Sequence, residues 1–94
     1  MWVTVLLPGQ LRPSAGGEAS LRMRLAEAAT LGDVLDEIEG QYPELGKRLR
    51  DEQAVLRRYV NFYVDGEECR RLGGAQTPLV EGAEVQIIPS VAGG

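Results

Sequence analysis

Histidine is absent from the 94-residue sequence, and Cys69 is its only cysteine. A single cysteine excludes an internal disulfide bond and, without histidine, leaves none of the usual ligand sets for zinc and other transition metals. It also leaves no Cys-His or Ser-His pair to activate a nucleophile. The composition therefore argues against an enzyme, and the lack of disulfides fits a reducing compartment such as the cytoplasm.

The chain also lacks a long apolar run and an excess of positive charge. No segment approaches the roughly 18 apolar residues of a membrane-spanning helix, and the N-terminus does not have the pattern of a secretory signal. The sequence has 10 Lys and Arg against 14 Asp and Glu, and the net charge of −4 disfavours binding to nucleic-acid phosphates. We therefore predict a cytoplasmic protein that binds neither membranes nor nucleic acids.

What the sequence does contain is a regular succession of strand and helix patterns. Thr30 and Asp33 have the spacing of a capping box at the start of the main helix, and Pro43 ends that helix and begins a shorter one. Asp65-Gly66 is typical of a tight hairpin turn. Alternating apolar residues predict strands at residues 2–7, 18–25, 59–64 and 84–88, with a short strand at 67–70.

Two local features are candidates for chemistry. Cys69 is either a sulfur relay or a small structural residue on a short edge strand, and the sequence shows no charge pattern that would lower its pKa. The Gly16-Gly17 pair lies in the predicted loop 8–17 but lacks the Lys-Ser/Thr pair of a phosphate-binding loop. The structural interpretation of the cysteine and the turn interpretation of the glycines are favoured.

The end of the chain differs in character from everything before it. Pro89 cannot donate a hydrogen bond to a strand ladder, so pairing is expected to stop there. We predict a folded domain at 1–89 and a flexible tail at 90–94 that ends in two glycines. Six residues from Pro89 onward reach about 20 Å, which is enough to enter another protein's active site. The alternative is a frayed end that happens to be rich in glycine.

The order of the predicted elements indicates a fold. Two strands, the main helix, a short helix, a strand, a short strand and a final strand give the order of an α+β fold of the β-grasp, or ubiquitin-like, type. This fold has a mixed sheet of four to five strands with one main helix packed on one face. The first and last strands are apolar on both sides, and we therefore predict that they pair in parallel at the sheet centre.

Several motifs spread over nearly the whole chain also form a set. They are Leu11-Arg12-Pro13 with Gly16-Gly17, the helix start Thr30–Val34, the run Arg58–Val64, Gly73-Gly74, and the ending Pro89–Gly94. In these motifs the sequence resembles the bacterial sulfur carriers of the ubiquitin-like superfamily, which include the thiamine and molybdopterin carriers. It is most similar to the carrier for cysteine biosynthesis. The predicted loop 8–17 and the strand that contains Asn61 favour this branch.

The resemblance implies that the chain is a protein co-substrate. An adenylating enzyme that uses ATP and Mg²⁺ would activate the Gly94 carboxylate, and sulfur transfer would leave a thiocarboxylate there. Val91, Ala92 and Gly93 would lie along the partner's channel. In the cysteine branch a synthase that depends on pyridoxal phosphate would take up the sulfur, and a zinc metalloprotease would release the cysteine. The chain itself would bind no cofactor stably.

Leu6, Tyr63 and Ile88 are predicted to share the exposed face of the sheet, where they are a candidate docking patch. The alternative is the ordinary apolarity of a protein surface. Three other functions stay open beside the carrier in cysteine biosynthesis. The chain is alternatively the small subunit of a molybdopterin synthase, a ubiquitin-like protein modifier, or a plain interaction module.

Overall fold

The computed structural model describes residues 1–90, and the predicted tail residues Val91, Ala92, Gly93 and Gly94 lie outside the described residues. The described chain forms one five-stranded sheet and two α-helices, with three short 3₁₀ helices in the connections. In chain order the main elements are β1 at Trp2–Leu6, β2 at Ser20–Arg24, α1 at Leu31–Gln41, α2 at Pro43–Leu49, β3 at Val60–Val64, β4 at Glu67–Glu68 and β5 at Glu84–Pro89.

The sheet has the strand order β2-β1-β5-β3-β4. β1 and β5 are parallel neighbours with Val5 opposite Val85, and every other pair of neighbouring strands is antiparallel. This confirms the predicted mixed sheet with its first and last strands side by side at the centre. Neighbouring strands pair with both edges of this central pair, but only one of its two faces is fully buried, through Val3, Val5, Val85 and Ile87.

One face of the sheet is covered by the helices. Alternate residues of the three central strands, among them Val5, Phe62 and Ile87, are buried together with the apolar side of α1 in a single hydrophobic cluster. α2 adds Leu45 and Leu49 to the same cluster. Full burial of each such side chain stabilises the fold by roughly 1.5–3 kcal/mol, so this face holds the domain together.

The start of α1 has the predicted cap. The Asp33 N–H donates to Thr30 Oγ1 at 3.4 Å, and the Asp33 carboxylate accepts from the Thr30 N–H at 2.8 Å. Pro43 occupies the first turn of α2, where its missing N–H costs no helical hydrogen bond. Gly46 allows α2 to approach α1, because a Cβ at Gly46 would lie only 2.9 Å from the Cβ of Glu39.

Three predictions about the connections and the sheet edge are wrong. The predicted loop 8–17 contains a 3₁₀ helix at Gly9–Ala15, which buries two of its side chains. The predicted strand 67–70 ends at Glu68, because the Glu68 carboxylate accepts the Arg70 N–H at 2.6 Å and thereby caps a 3₁₀ helix at Cys69–Arg71. Strand pairing also does not stop at Pro89, since the Ser90 N–H donates to the Tyr59 carbonyl at 2.7 Å.

The pairing beyond Pro89 has a simple geometric reason. Successive N–H groups of a strand point to opposite sides. The Pro89 nitrogen, which carries no hydrogen, faces away from β3, and the Ser90 N–H faces toward β3.

Within residues 1–90, neither α-helix has the length and apolar character needed to span a membrane.

Candidate functional site

The point at which the chain leaves the sheet is well defined. Ser90 follows β5, which lies between β1 and β3 in the sheet. Its N–H donates to the Tyr59 carbonyl at 2.7 Å, and its hydroxyl oxygen accepts from Asn61 Nδ2 at 3.2 Å. The predicted tail residues Val91 to Gly94 therefore begin from a residue that is bonded to β3. Their assigned roles stay predictions because they lie outside the described residues.

The three predicted docking residues lie on neighbouring strands and on the open face of the sheet. Leu6 of β1 and Tyr63 of β3 both stand opposite Gln86 of β5, and Ile88 lies two residues further along β5. Leu6 and Tyr63 are half-buried, and Ile88 is 39% exposed. The structure thus brings the predicted patch together next to the end of β5. That this patch binds a partner stays a prediction.

The patch borders a shallow cavity of about 470 Å³. Leu6 and Ile88 line it together with Pro8, which precedes the 3₁₀ helix at Gly9–Ala15, and Arg12, which lies within that helix. The Arg12 side chain donates through Nε to the Leu7 carbonyl at 3.2 Å, and this bond holds the guanidinium beside the cavity. The cavity therefore offers both apolar surface and a positive group close to the point where the chain leaves the sheet.

The opposite end of the open face carries an aromatic residue in contact with two cations of the neighbouring strand β2. Trp2 is 40% exposed, and the guanidinium carbons of Arg22 and Arg24 lie 4.8 and 5.8 Å from the centroid of its ring. These contacts were not predicted from the sequence. Alternation in β1 and β2 placed all three residues on one face, but only the register of the two strands shows that they meet.

A second group that the sequence analysis missed lies along β3. Arg70 Nη1 donates to Asn61 Oδ1 at 2.9 Å and to Glu68 Oε1 at 3.2 Å, and Arg70 Nη2 donates to the Val60 carbonyl at 3.2 Å. The Arg70 backbone N–H, with the guanidinium as a further cause, lowers the pKa of Glu68. Together with the Ser90 contact, these bonds form a chain from β4 to the end of β5.

The comparison with known families decides the assignment. The sequence profile described as the ThiS family matches residues 5–94, which is nearly the whole chain and includes both terminal glycines. The chain belongs to the ThiS family.

Relatives of this ThiS family protein include both carriers and modifiers. It is 42% identical over 96 residues to the sulfur carrier protein CysO of Mycobacterium tuberculosis, with all of both chains covered. It is 38% identical over 78 residues to small archaeal modifier protein 3 of Haloferax volcanii, with 83% of this chain and 84% of the relative covered. These relatives support a sulfur carrier or ubiquitin-like modifier, a class of protein co-substrates, and not an enzyme.

The fold of this ThiS family protein also matches solved structures. The crystal structure of the Amycolatopsis orientalis BexX/CysO complex contains a chain that superimposes with a TM-score of 0.84. That chain is 37% identical in sequence, and the alignment covers 98% of this chain and 99% of the other. The similarity confirms the predicted β-grasp fold and shows that a structural relative is found in a complex with another protein.

Cys69 is not available for chemistry in the folded ThiS family protein. Its side chain is fully buried, and burial raises the pKa of the thiol. A buried thiol in its neutral form is a poor nucleophile, which favours the structural interpretation over the sulfur relay. Within residues 1–90 no cluster of three or more Asp, Glu or Cys side chains is arranged to hold a metal ion. That a partner enzyme uses ATP and Mg²⁺, and that this chain binds no cofactor stably, stay predictions.

Proposed function

We propose that this ThiS family protein is a sulfur carrier, and that a partner enzyme adenylates the Gly94 carboxylate and converts it to a thiocarboxylate that donates sulfide in cysteine biosynthesis. The observation that carries the proposal is the similarity to the sulfur carrier CysO over the full length of both chains. The family match also extends to Gly94 itself, which is the residue that would carry the sulfur.

The chemistry explains why the chain needs an activating partner. A carboxylate is a poor electrophile, so ATP must first convert it to an acyl adenylate with release of pyrophosphate. A persulfide then displaces AMP, and a thiol cleaves the resulting acyl disulfide to leave the thiocarboxylate. All of these groups would come from partner proteins, since the chain has no histidine and its one cysteine is buried.

The folded domain would supply recognition. An adenylating enzyme must hold the domain while the last residues reach its nucleotide, and the patch formed by Leu6, Tyr63 and Ile88 lies next to the end of β5. A few side chains near the centre of an interface, most often Trp, Tyr or Arg, contribute most of its binding energy, and Tyr63 is of this kind. The other proposed partners are a synthase that depends on pyridoxal phosphate and a zinc metalloprotease that releases the cysteine. The BexX/CysO complex supports a function in complexes with other proteins.

Intact mass spectrometry tests the proposal. The protein is incubated with ATP, Mg²⁺, a persulfide donor and the adenylating enzyme of its own organism, and the expected product is heavier by about 16 Da because sulfur replaces one carboxylate oxygen. The chain without Gly93 and Gly94 should gain nothing. Gly94→Ala should load slowly, whereas the matched control Gly9→Ala, at a glycine where an added Cβ would meet nothing within 4 Å, should load normally.

A ubiquitin-like modifier is the second candidate, favoured by the 38% identity to small archaeal modifier protein 3. A modifier forms isopeptide bonds between Gly94 and lysines of target proteins, so an affinity-tagged chain would be recovered from cells in species of higher mass. If isopeptide-linked species are found and the gain of about 16 Da is not, the chain is a modifier and the carrier proposal is wrong. A loaded chain that remains free of isopeptide bonds would support the carrier.

A further inference from the structure

The edge of the sheet beside β3 is only partly covered by a strand. β4 pairs with Tyr63 and Val64 alone, which leaves the first half of β3 without a neighbouring strand on that side. Free carbonyl groups at a sheet edge need other donors. The Arg70 guanidinium supplies one, because its Nη2 donates to the Val60 carbonyl at 3.2 Å. Arg70 therefore takes the place that a longer β4 would have filled.

The same guanidinium fixes the orientation of the Asn61 amide. Arginine has only donors, so the group that faces Arg70 Nη1 at 2.9 Å must be the amide oxygen of Asn61. The amide nitrogen of Asn61 is then directed to the Ser90 hydroxyl, which it reaches at 3.2 Å. Glu68 accepts from Arg70 Nη1 at 3.2 Å and holds the guanidinium in place.

Ser90 is the residue from which the last four residues of the sequence continue. It is held at two atoms, by the Tyr59 carbonyl at its N–H and by Asn61 at its hydroxyl. A strand end bonded only through its backbone frays, and a side-chain bond at the last residue opposes that fraying. The chain of bonds from Glu68 through Arg70 and Asn61 thus ends at the base of the predicted tail.

We propose that Asn61 and Arg70 are positioning residues for sulfur loading, which hold Ser90, the last described residue before Gly94, in the position that the activating partner requires. The inference rests on the proposed function. Both would act through Ser90 and not on the Gly94 carboxylate itself. Their contribution is to order the base of the tail before docking, which lowers the entropy lost when the tail enters a channel.

Single-turnover loading of the variants tests this role. With the adenylating enzyme in excess, Asn61→Ala and Ser90→Ala should each lower the loading rate by about three- to tenfold and change the half-saturating enzyme concentration by less than about twofold. The double variant should be no slower than the slower single variant, because both remove the same bond. Ser90→Thr keeps the hydroxyl and should load at close to the normal rate.

The role of Arg70 is tested in the same assay. Arg70→Lys keeps the charge but cannot present two donors in a fixed fork. Arg70→Lys should slow loading in the otherwise wild-type protein, and it should not lower the loading rate further when combined with Asn61→Ala. Additive losses would overturn the idea that Arg70 acts through Asn61. Ser14→Ala is the matched control, because it removes the same oxygen from a residue of the 3₁₀ helix at Gly9–Ala15 whose hydroxyl makes no hydrogen bond within residues 1–90 and which does not line the cavity beside Leu6 and Ile88.

Amide hydrogen exchange gives a readout that needs no enzyme. The Ser90 N–H should exchange faster in Asn61→Ala by about three- to tenfold, while amides in the middle of β3 should keep their protection. Unchanged exchange at Ser90, or a lower melting temperature with unchanged loading, would show a merely structural role and overturn the proposal. If the normal chain does not load at all, the proposed function fails instead, and the exchange experiment still tests the contact.

Discussion

The two faces of the sheet are built from the same strands but differ in the burial of their side chains. Neighbouring residues of a strand point to opposite faces, so Phe62 is fully buried while Tyr63 remains half-exposed. The same contrast separates Ile87 from Ile88, of which the first is 1% and the second 39% exposed. The covered face meets the helices, and the open face meets solvent.

Because of this difference in burial, one face determines the stability of the fold and the other is available for binding. Packing limits the side chains on the covered face, because a volume change of even one methylene alters the stability of a dense core. Side chains on the open face have no such constraint, yet they include Trp2 and Ile88, which are both apolar and exposed. We therefore expect substitutions on the covered face to change stability and those on the open face to change binding.

The largest effect is expected at Phe62 on the covered face. Phe62→Ala should lower the free energy of unfolding by about 3–5 kcal/mol, because it removes a fully buried ring and leaves a cavity. Tyr63→Ala, one residue along the same strand, should cost less than half as much. Urea denaturation of both variants measures the contrast. Equal losses would show that the open face is packed as tightly as the covered one.

Ile88 on the open face should show the reverse behaviour. Ile88→Ala is expected to weaken binding to the adenylating partner by roughly tenfold, which is the cost of losing a moderate interface anchor. Val80→Ala, which shortens an apolar residue that is 65% exposed in a loop, is the matched control. Isothermal titration with the partner measures both affinities. If the two variants bind alike, Leu6, Tyr63 and Ile88 are ordinary surface.

The N-terminal cap of α1 is expected to stabilise the helix that packs on the covered face. Thr30→Ala removes the hydroxyl that accepts the Asp33 N–H and should lower the free energy of unfolding by about 1 kcal/mol. Thr30→Ser keeps the hydroxyl and should stay close to the normal value. Thermal and urea unfolding of the two variants measure the difference. A loss of equal size in both would assign the effect to the methyl group of Thr30 and not to the cap.

The covered face was largely predictable from the sequence. Periodicity shows which residues of a strand or helix share a side, and the local signals at Thr30 and Pro43 mark the helix ends. These are short-range properties, so one sequence contains them. The 3₁₀ helix at Gly9–Ala15 escaped because its proline and glycine residues also suit a loop, and only its burial distinguishes the two.

The open face was predictable only in part. The positions of Leu6, Tyr63 and Ile88 follow from alternation within each strand. The bond between Asn61 and Ser90 instead joins residues 29 positions apart, and its geometry depends on the strand register and on Arg70. Sequence periodicity assigns a residue to a face but does not give the partner of its side chain. The role of the two terminal glycines stays a prediction, which rests on the chemistry of a C-terminal carboxylate without neighbouring side chains.

The smallest expected effect concerns acid stability at the edge of the sheet. The Arg70 N–H, with the guanidinium, holds the pKa of Glu68 below its ordinary value of 4.5. Glu68 therefore binds a proton less readily in the folded chain than in the unfolded one. Its stabilising contribution is fully present above about pH 4.5 and is lost as the pH falls through the lower, folded pKa.

Glu68→Gln should accordingly be less stable than the normal chain near neutral pH and should lose that disadvantage in acid. Glu67→Gln makes the same charge change at an exposed carboxylate that forms no ion pair within residues 1–90, and it is the matched control. Urea unfolding at neutral pH and well below pH 4.5 measures both variants. A difference between Glu68→Gln and the normal chain that does not change with pH would mean that the ionised carboxylate of Glu68 is not what holds Arg70 against β3.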